Sequence, residues 1–559
     1  MKGFGDLYKD EKKTNKPPTE KKINQAIQLH LQGNIKEATK YYKYCIDQDI
    51  NDPRIFSNYG TILQGLGKFE EAANCYRKAI KLNPNYANAY SNLGSVLKDL
   101  GKLQDAEFST RKAIELNPNY AIANYNLGNI LKDLGKLQDA ELSYRKAIQI
   151  NPNFADAYCS LGIILSDLGS FKEAEFSVRK AIELNPDYAE AYFNLGIILS
   201  DLGKLKEAEE SLLQAIKINP NFGKAYFFLS KIGVSNRQKN WEEYLFSRNI
   251  VNNQKNINLI NIYFARANIL EKKLKYKESS NMFMKANSLN RKIYGSNYIQ
   301  VKHEMQYFYE IWQNIKSKQV NKKNQLTSIF IVGLPRSGKT ITESILSCNN
   351  SLLQCGEDDA LSKAVVKYLN PKGIPNNQDL YQLFVENISR EISNKSYICA
   401  TTPDNYKFTG IIASQIVKSK VIYCFRNPLD NIKELFCSNI ENKFTFKTSI
   451  VESAKILLLI NELMENYKKV YNSKIYFLNY DKLVLHPENE IKLLLSWLGL
   501  EYKNEYLYPQ LDPTTTINSE KTNRLINTKY LNVWKDYEEL LQPAIEIITS
   551  NNKYRHLIS

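Results

Sequence analysis

The sequence predicts an α-helical solenoid followed by an α/β domain with a central parallel sheet. Two observations carry that prediction. From residue 60 to residue 220, proline, glycine and alanine recur at a fixed spacing of 34 residues. Past residue 326, an apolar run enters a glycine-rich loop and continues into an amphipathic stretch, the strand–turn–helix layout of a phosphate-binding loop. At 559 residues the chain is too long for one core, so several folding units are expected.

The repeat holds four registers. Pro84, Pro118, Pro152, Pro186 and Pro220 form one, and Gly60, Gly94, Gly128, Gly162 and Gly196 a second. Gly67, Gly101, Gly135, Gly169 and Gly203 form a third, and Ala79, Ala113, Ala147, Ala181 and Ala215 a fourth. This is the length and layout of the tetratricopeptide repeat, two antiparallel helices per unit. The first glycine falls inside helix A, where a side chain would hold the neighbouring helix away. The second suits a left-handed turn between the helices. The alanine lets helix B pack closely, and Asn-Pro ends it. Gly33 marks an imperfect first unit, and Tyr263 to Asn290 reads as one degenerate late unit. The domain reading is a polar segment over 1–19, about six repeats over 20–223, a helical cap over 224–320 and a nucleotide-binding domain over 326–559.

Composition narrows the function. A net charge of +16 admits nucleic acid, anionic membrane or an anionic small ligand. No dense Lys/Arg run with interleaved aromatics is present, which argues against nucleic acid, and general overuse of lysine accounts for most of the excess. The polar start MKGFGDLYKDEKKTNKPP has no apolar core of a secretory signal, and no apolar run reaches membrane-spanning length. Eight cysteines form no CxxC pair, so reduced thiols and a cytoplasmic location are expected. Four dispersed histidines argue against a His-based metal site.

Helical repeat arrays bind peptides or proteins along their concave face, and that partner class is expected here. Asn58, Asn92, Asn126 and Asn194 recur two positions before the helix A glycine, with Ser160 in the remaining unit. The set resembles the asparagine ladder of glycosyltransferases that carry a tetratricopeptide superhelix, where amides hold a substrate's backbone. An amide donates to and accepts from any peptide bond, so such a ladder tolerates sequence. Local helix capping is the equally weighted structural role.

In TSIFIVGLPRSGKTITESIL, the spacing Gly333-x4-Gly338-Lys339-Thr340 satisfies the Walker A pattern. Glycines let the backbone wrap a phosphate, and the following helix N-terminus adds its dipole. The stretch Pro335-Arg336-Ser337-Gly338-Lys339-Thr340 is similar to the PRSGTT loop of the sulfotransferase family, particularly tyrosylprotein sulfotransferases and bacterial proteins joining repeats to such a domain. Further resemblances follow in order: Cys355-Gly356-Glu357, then Thr402-Pro403-Asp404-Asn405-Tyr406, then KVIYCFRNPLD at 420–430. Tyr480-Asp481-Lys482-Leu483, Trp497-Leu498-Gly499-Leu500 and Trp534-Lys535-Asp536-Tyr537 complete the series.

The resemblance implies in-line transfer of a sulfuryl group from 3′-phosphoadenylyl sulfate to a hydroxyl, leaving adenosine 3′,5′-bisphosphate, with no metal. It implies that Arg336, Lys339 and loop amides stabilise charge on the leaving phosphate and that Glu357 takes the acceptor proton. Pro335, Ser337, Gly338, Thr340, Arg426, Ser438 and Arg524 are the further donor-binding candidates, Arg426 for the 3′-phosphate. The chain departs from the family at three points: Lys339 stands for Thr, Thr401 for a Lys, and Glu434 for a Ser eight residues after the arginine. Two other readings compete. One is a repeat adaptor with a decayed nucleotide domain, and the other a P-loop kinase using Asp481 for Mg²⁺.

Overall fold

A computed structural model describes residues 18–232, 240–251, 256–316, 325–356, 359–369, 373–376, 378–388, 392, 394–402, 404–439, 442–508 and 526–555. The chain divides into two compact units, Met1–Leu202 and Gly203–Ser559. The division falls inside the last full 34-residue period.

The first unit is a stack of helical hairpins. Its helices are α1 (Pro18–Leu31), α2 (Ile35–Asp47), α3 (Pro53–Gly65), α4 (Phe69–Leu82), α5 (Ala87–Asp99) and α6 (Leu103–Leu116). They continue through α7 (Ala121–Asp133), α8 (Leu137–Ile150), α9 (Ala155–Asp167), α10 (Phe171–Leu184) and α11 (Ala189–Asp201). The two glycine registers have different physical causes. A Cβ at Gly128 would lie 2.6 Å from the Tyr144 ring, and one at Gly162 would lie 2.3 Å from Val178 Cγ2. These glycines bring helix A onto the side chain 16 positions later in helix B. At Gly67, Gly101 and Gly135 a Cβ would meet nothing, and φ of +73° to +75° alone selects glycine. Between hairpins, the Asn117 and Asn151 side chains accept from the amides of Asn119 and Asn153, and these turns reverse the chain.

The second unit opens with α12 (Leu205–Ile218), α13 (Gly223–Ile232), α14 (Asn240–Phe246), α15 (Asn256–Lys272), α16 (Tyr276–Tyr294) and α17 (Tyr298–Ile315). Helices α15 and α16 are the degenerate hairpin; Leu274, at φ +58°, stands in the left-handed turn where regular repeats have glycine. Five strands follow: β1 (Thr327–Val332), β2 (Leu352–Gly356), β3 (Tyr397–Ala400), β4 (Ser419–Phe425) and β5 (Ile475–Asn479). They form one parallel sheet in the order β2-β3-β1-β4-β5. Crossovers run through α18 (Lys339–Ser347), α19 (Ala360–Tyr368), α20 (Leu380–Glu386), α21 (Thr409–Gln415), α22 (Pro428–Phe436) and α23 (Ile450–Val470). After β5 come α24 (Tyr480–Leu485), α25 (Pro487–Leu498) and α26 (Glu538–Thr549).

Strand β1 is buried on both faces, as a central parallel strand requires. Ile329 and Ile331 join the layer of Ile341, Ile345 and Leu495. Phe330 and Val332 join the opposite layer with Ile411, Ile460 and Met464. Helix α17 is built into that second layer. Its Trp312 donates to the Tyr471 hydroxyl at 3.0 Å, and Gly410 has no Cβ to strike the indole. Asn287 of α16 donates to the Phe436 carbonyl at 2.8 Å, so the helices before the linker are part of the α/β core.

Replacing Gly162 by alanine forces a methyl into Val178 where little can move. The expected cost is about 1–3 kcal/mol in urea unfolding of the repeat unit. An unchanged midpoint would mean that α9 and α10 have slack.

Candidate functional site

The parallel sheet sets the site. All five strands point the same way, so Gly356, Thr401, the loop at 333–338, Arg426 and Tyr480 all follow strand ends along one carboxyl edge. Strands β1 and β4 are direct neighbours, with Val332 opposite Tyr423. The next residues, Gly333 and Cys424, come so close that a Cβ on Gly333 would lie 2.4 Å from the Cys424 carbonyl oxygen.

The loop is a tight curl. Gly333, Arg336 and Gly338 take φ of +146°, +65° and +100°. Arg336 is the non-glycine residue among them, a strained conformation for a side chain with a Cβ. A Cβ on Gly338 would lie 2.5 Å from the Tyr480 ring, so glycine lets the loop seat against the end of β5. Buried Lys339 donates to the carbonyls of Gly333 and Leu334 at 3.1 and 3.0 Å and holds the curl from inside. The Ser337 hydroxyl is buried without a hydrogen-bond partner. An orphaned donor inside a glycine curl that opens a helix suits a bound anion. Pro335 accepts from the Asn431 amide at 3.0 Å, which fixes the loop to α22. Thr340 is exposed on the first turn of α18.

Arg426 follows β4 directly and is buried. Its guanidinium lies over the Tyr480 ring at 4.9 Å and donates to the Tyr530 carbonyl. Asp430 stands 3.7 Å away and Asp481 3.9 Å away, too far for strong pairing, and Arg426 Nε has no hydrogen-bond partner. Both carboxylates are anchored by backbone. Asp430 accepts from the amides of Asn532 and Trp534, and Asp481 from that of Asn427 at 2.5 Å. Asn427 also caps α22, accepting from Leu429 and Asp430, with Pro428 at the first helical position.

Two charged neighbours of the loop were not singled out from sequence. Lys433 pairs with Glu434 at 3.2 Å and with Glu271 of α15 at 2.8 Å. Lys447 is buried and donates to the Ser438 carbonyl at 2.9 Å. Burial, with Arg336 and Lys231 nearby, pushes its ammonium down to about 7. Nothing in the local pattern around either lysine distinguishes it from the many surface lysines. Burial would raise the Glu434 carboxyl, but Lys433, Arg336 and Arg426 outweigh it and hold it below the usual range. Ser438 lies just past α22, its hydroxyl donating to the Leu435 carbonyl at 2.8 Å.

The loop and Arg426 thus share one edge, and Ser438 lies at the other end of α22 from Arg426. Thr401 follows β3 on the same edge and is buried, its side chain against the Cys399 thiol. Glu357 and Arg524, with Pro403 and Asp358, lie outside the described residues. In the repeat unit, the Asn126 amide donates to Ser91 at 3.1 Å and that of Asn194 to Cys159 at 3.3 Å. Each bond reaches 35 residues back, so these amides join successive repeats rather than capping their own helices. Asn58 and Asn92 are half-buried on α3 and α5.

These features define a helical repeat array followed by a parallel α/β domain with a glycine-rich loop at the carboxyl edge of its sheet. Residues 62–101 and 128–169 match the TPR repeat, and 87–120, 110–141, 155–188 and 189–222 match the tetratricopeptide repeat. Residues 369–504 match the sulfotransferase family. The chain therefore carries tetratricopeptide repeats and, toward its C-terminus, a sulfotransferase-family domain. An uncharacterized protein of Aquifex aeolicus (strain VF5) is 26% identical over 321 residues, which are 52% of this chain and 41% of that protein. The chain thus spans about two-fifths of that relative's length. The solved structure of YrrB, described as a TPR protein with an unusual peptide-binding site, is 26% identical, covering 32% of this chain and 92% of its own at a TM-score of 0.27. That of MamA is 28% identical, covering 29% and 94% at a TM-score of 0.27. Among the described residues no helix is long and apolar enough to cross a membrane.

The lysine site gives a pH test. Unfolded, Lys447 stays protonated to about its ordinary 10.5, whereas folded it releases the proton near 7. Its burial therefore penalises the fold fully below about 7, and the penalty fades as pH rises toward 10. Relative to wild type, Lys447→Met should be most favoured at or below pH 7 and lose that advantage by pH 10 in urea unfolding. A difference independent of pH would contradict this.

Proposed function

We propose that residues 326–559 act as a sulfotransferase that moves a sulfuryl group from 3′-phosphoadenylyl sulfate to a hydroxyl acceptor. The observation that carries the reading is the shared edge: a glycine-rich curl after β1 and a buried guanidinium after the adjacent β4. The sulfotransferase-family match at 369–504 supports it from the other side of the loop. The donor would supply an activated sulfuryl group on its 5′-phosphate. The amides of 336–340, with Arg336, would meet charge growing on that phosphate as its bond to sulfur breaks. Lys339, from inside the curl, keeps the amides aimed and adds positive potential. Arg426, with Ser438, would hold the 3′-phosphate and so separate this donor from ATP. Glu357 would take the acceptor proton as the new oxygen–sulfur bond forms.

Asp481 argues against the kinase reading. One carboxylate oxygen is taken by the Asn427 amide and the other faces Arg426, so a guanidinium stands where a metal ion would be needed. The repeat unit is read as holding a peptide or protein that presents the acceptor, with tyrosine as one candidate hydroxyl. Asn126 and Asn194 would then offer it a carbonyl oxygen and a second N–H, because each spends one N–H on the preceding repeat. A cytoplasmic location fits the eight free thiols.

Adenosine 3′,5′-bisphosphate should raise the melting temperature of the full chain, ATP with Mg²⁺ should not, and Arg426→Ala should abolish the shift. The opposite ligand preference would favour a kinase, and no shift with either would leave an adaptor. Glu357→Gln should keep the shift but slow transfer of labelled sulfate to extract proteins by about 10²–10⁴-fold. Full transfer by that variant would remove Glu357 from the chemistry.

A further inference from the structure

The cleft between the loop and α22 contains its own anion. Around Arg426 stand Asp430 and Asp481, each pinned by backbone amides and unable to swing aside. Glu434 is held differently. It pairs with a flexible ammonium, Lys433 at 3.2 Å, and its side chain is one-fifth exposed. Lys433 does not depend on it, because Glu271 of α15 pairs with the same ammonium at 2.8 Å, and Tyr537 lies beneath at 4.9 Å. Glu434 is thus the carboxylate of this group that can yield to an entering ligand. It lies one helical turn beyond Asp430, which stands 3.7 Å from Arg426, and Asn431, which holds the Pro335 carbonyl of the loop, so it shares the face of α22 turned to the cations expected to meet the nucleotide. Burial would raise its carboxyl, but Lys433, Arg336 and Arg426 outweigh it.

We propose that Glu434 is a specificity-determining residue of this cleft: a tethered carboxylate that competes with the second phosphate of a doubly phosphorylated adenosine for Arg426. The proposal rests on the nucleotide-site reading above. Two anions cannot share one guanidinium at full strength, so each gain of phosphate contact displaces or opposes the carboxylate. The consequence is weak retention of adenosine 3′,5′-bisphosphate and easy release of the product left after transfer. A 5′-monophosphate seated in the loop would feel the carboxylate less, because it makes no demand on Arg426 and the loop amides share its charge with Arg336.

The test is calorimetric binding of adenosine 3′,5′-bisphosphate and adenosine 5′-phosphate to the full chain, wild type, Glu434→Gln and Glu434→Ser. Removing the carboxylate charge should tighten the bisphosphate by about tenfold or more and leave the monophosphate within about threefold. In wild type the bisphosphate should be preferred by less than about tenfold, below what an uncontested guanidinium gives a phosphate. That ratio needs no variant, so it decides the matter if both substitutions disturb folding. A wild-type preference above that threshold, or variants in which both nucleotides change equally or not at all, overturns the role of Glu434 while the nucleotide site stands. Failure of wild type and both folded variants to bind either nucleotide overturns the nucleotide-site reading and this proposal together.

Discussion

The site depends on one close approach, the backbone of Gly333 against the carbonyl of Cys424. Parallel neighbours β1 and β4 end level with each other, so the loop leaving one and the arginine leaving the other open onto the same cleft. Any side chain at 333 would part the strands by more than the sheet tolerates. The same edge brings β5 to the other wall, where Tyr480 receives Gly338 on its ring and Arg426 above it. The loop's curvature, the guanidinium's burial and the position of α22 are therefore one geometric problem with one solution. The Asn431 amide on the Pro335 carbonyl closes it.

The repeat unit uses the same device for another purpose. There glycine admits an aromatic or branched side chain from the partner helix, and the price in backbone entropy is offset by buried contact. Tyr144 and Val178 fill the space that Gly128 and Gly162 leave, so hairpins pack to a constant spacing despite different side chains. The amides of Asn126 and Asn194 then tie one hairpin to the one before it. Bonds of this kind stabilise the stack.

Much of this was legible in the sequence, for physical reasons. A 34-residue period writes each turn and close contact repeatedly, so registers of glycine and proline identify helices almost to the residue. The loop was legible because a strand–turn–helix curl needs glycine at fixed places. Charge placement was less legible. Sequence marked Glu434 as out of place but not its surroundings, because Lys433, Glu271 and Arg336 reach it from three separate segments. Lys447 was invisible for the same reason: its burial against the Ser438 carbonyl follows from tertiary packing, and its local sequence is that of a solvated lysine. The asparagine ladder was half legible, since its spacing was plain and its bonds to the preceding repeat were not.

The central claim is that the loop and the arginine edge clasp one ligand. Amide hydrogen exchange of the full chain, titrated with adenosine 3′,5′-bisphosphate, addresses it directly. The account predicts slowed exchange in peptides covering 333–340 and 426–438 at the same ligand concentration, since both walls close on one molecule. Protection of the loop alone, with 426–438 unaffected at saturation, would contradict it.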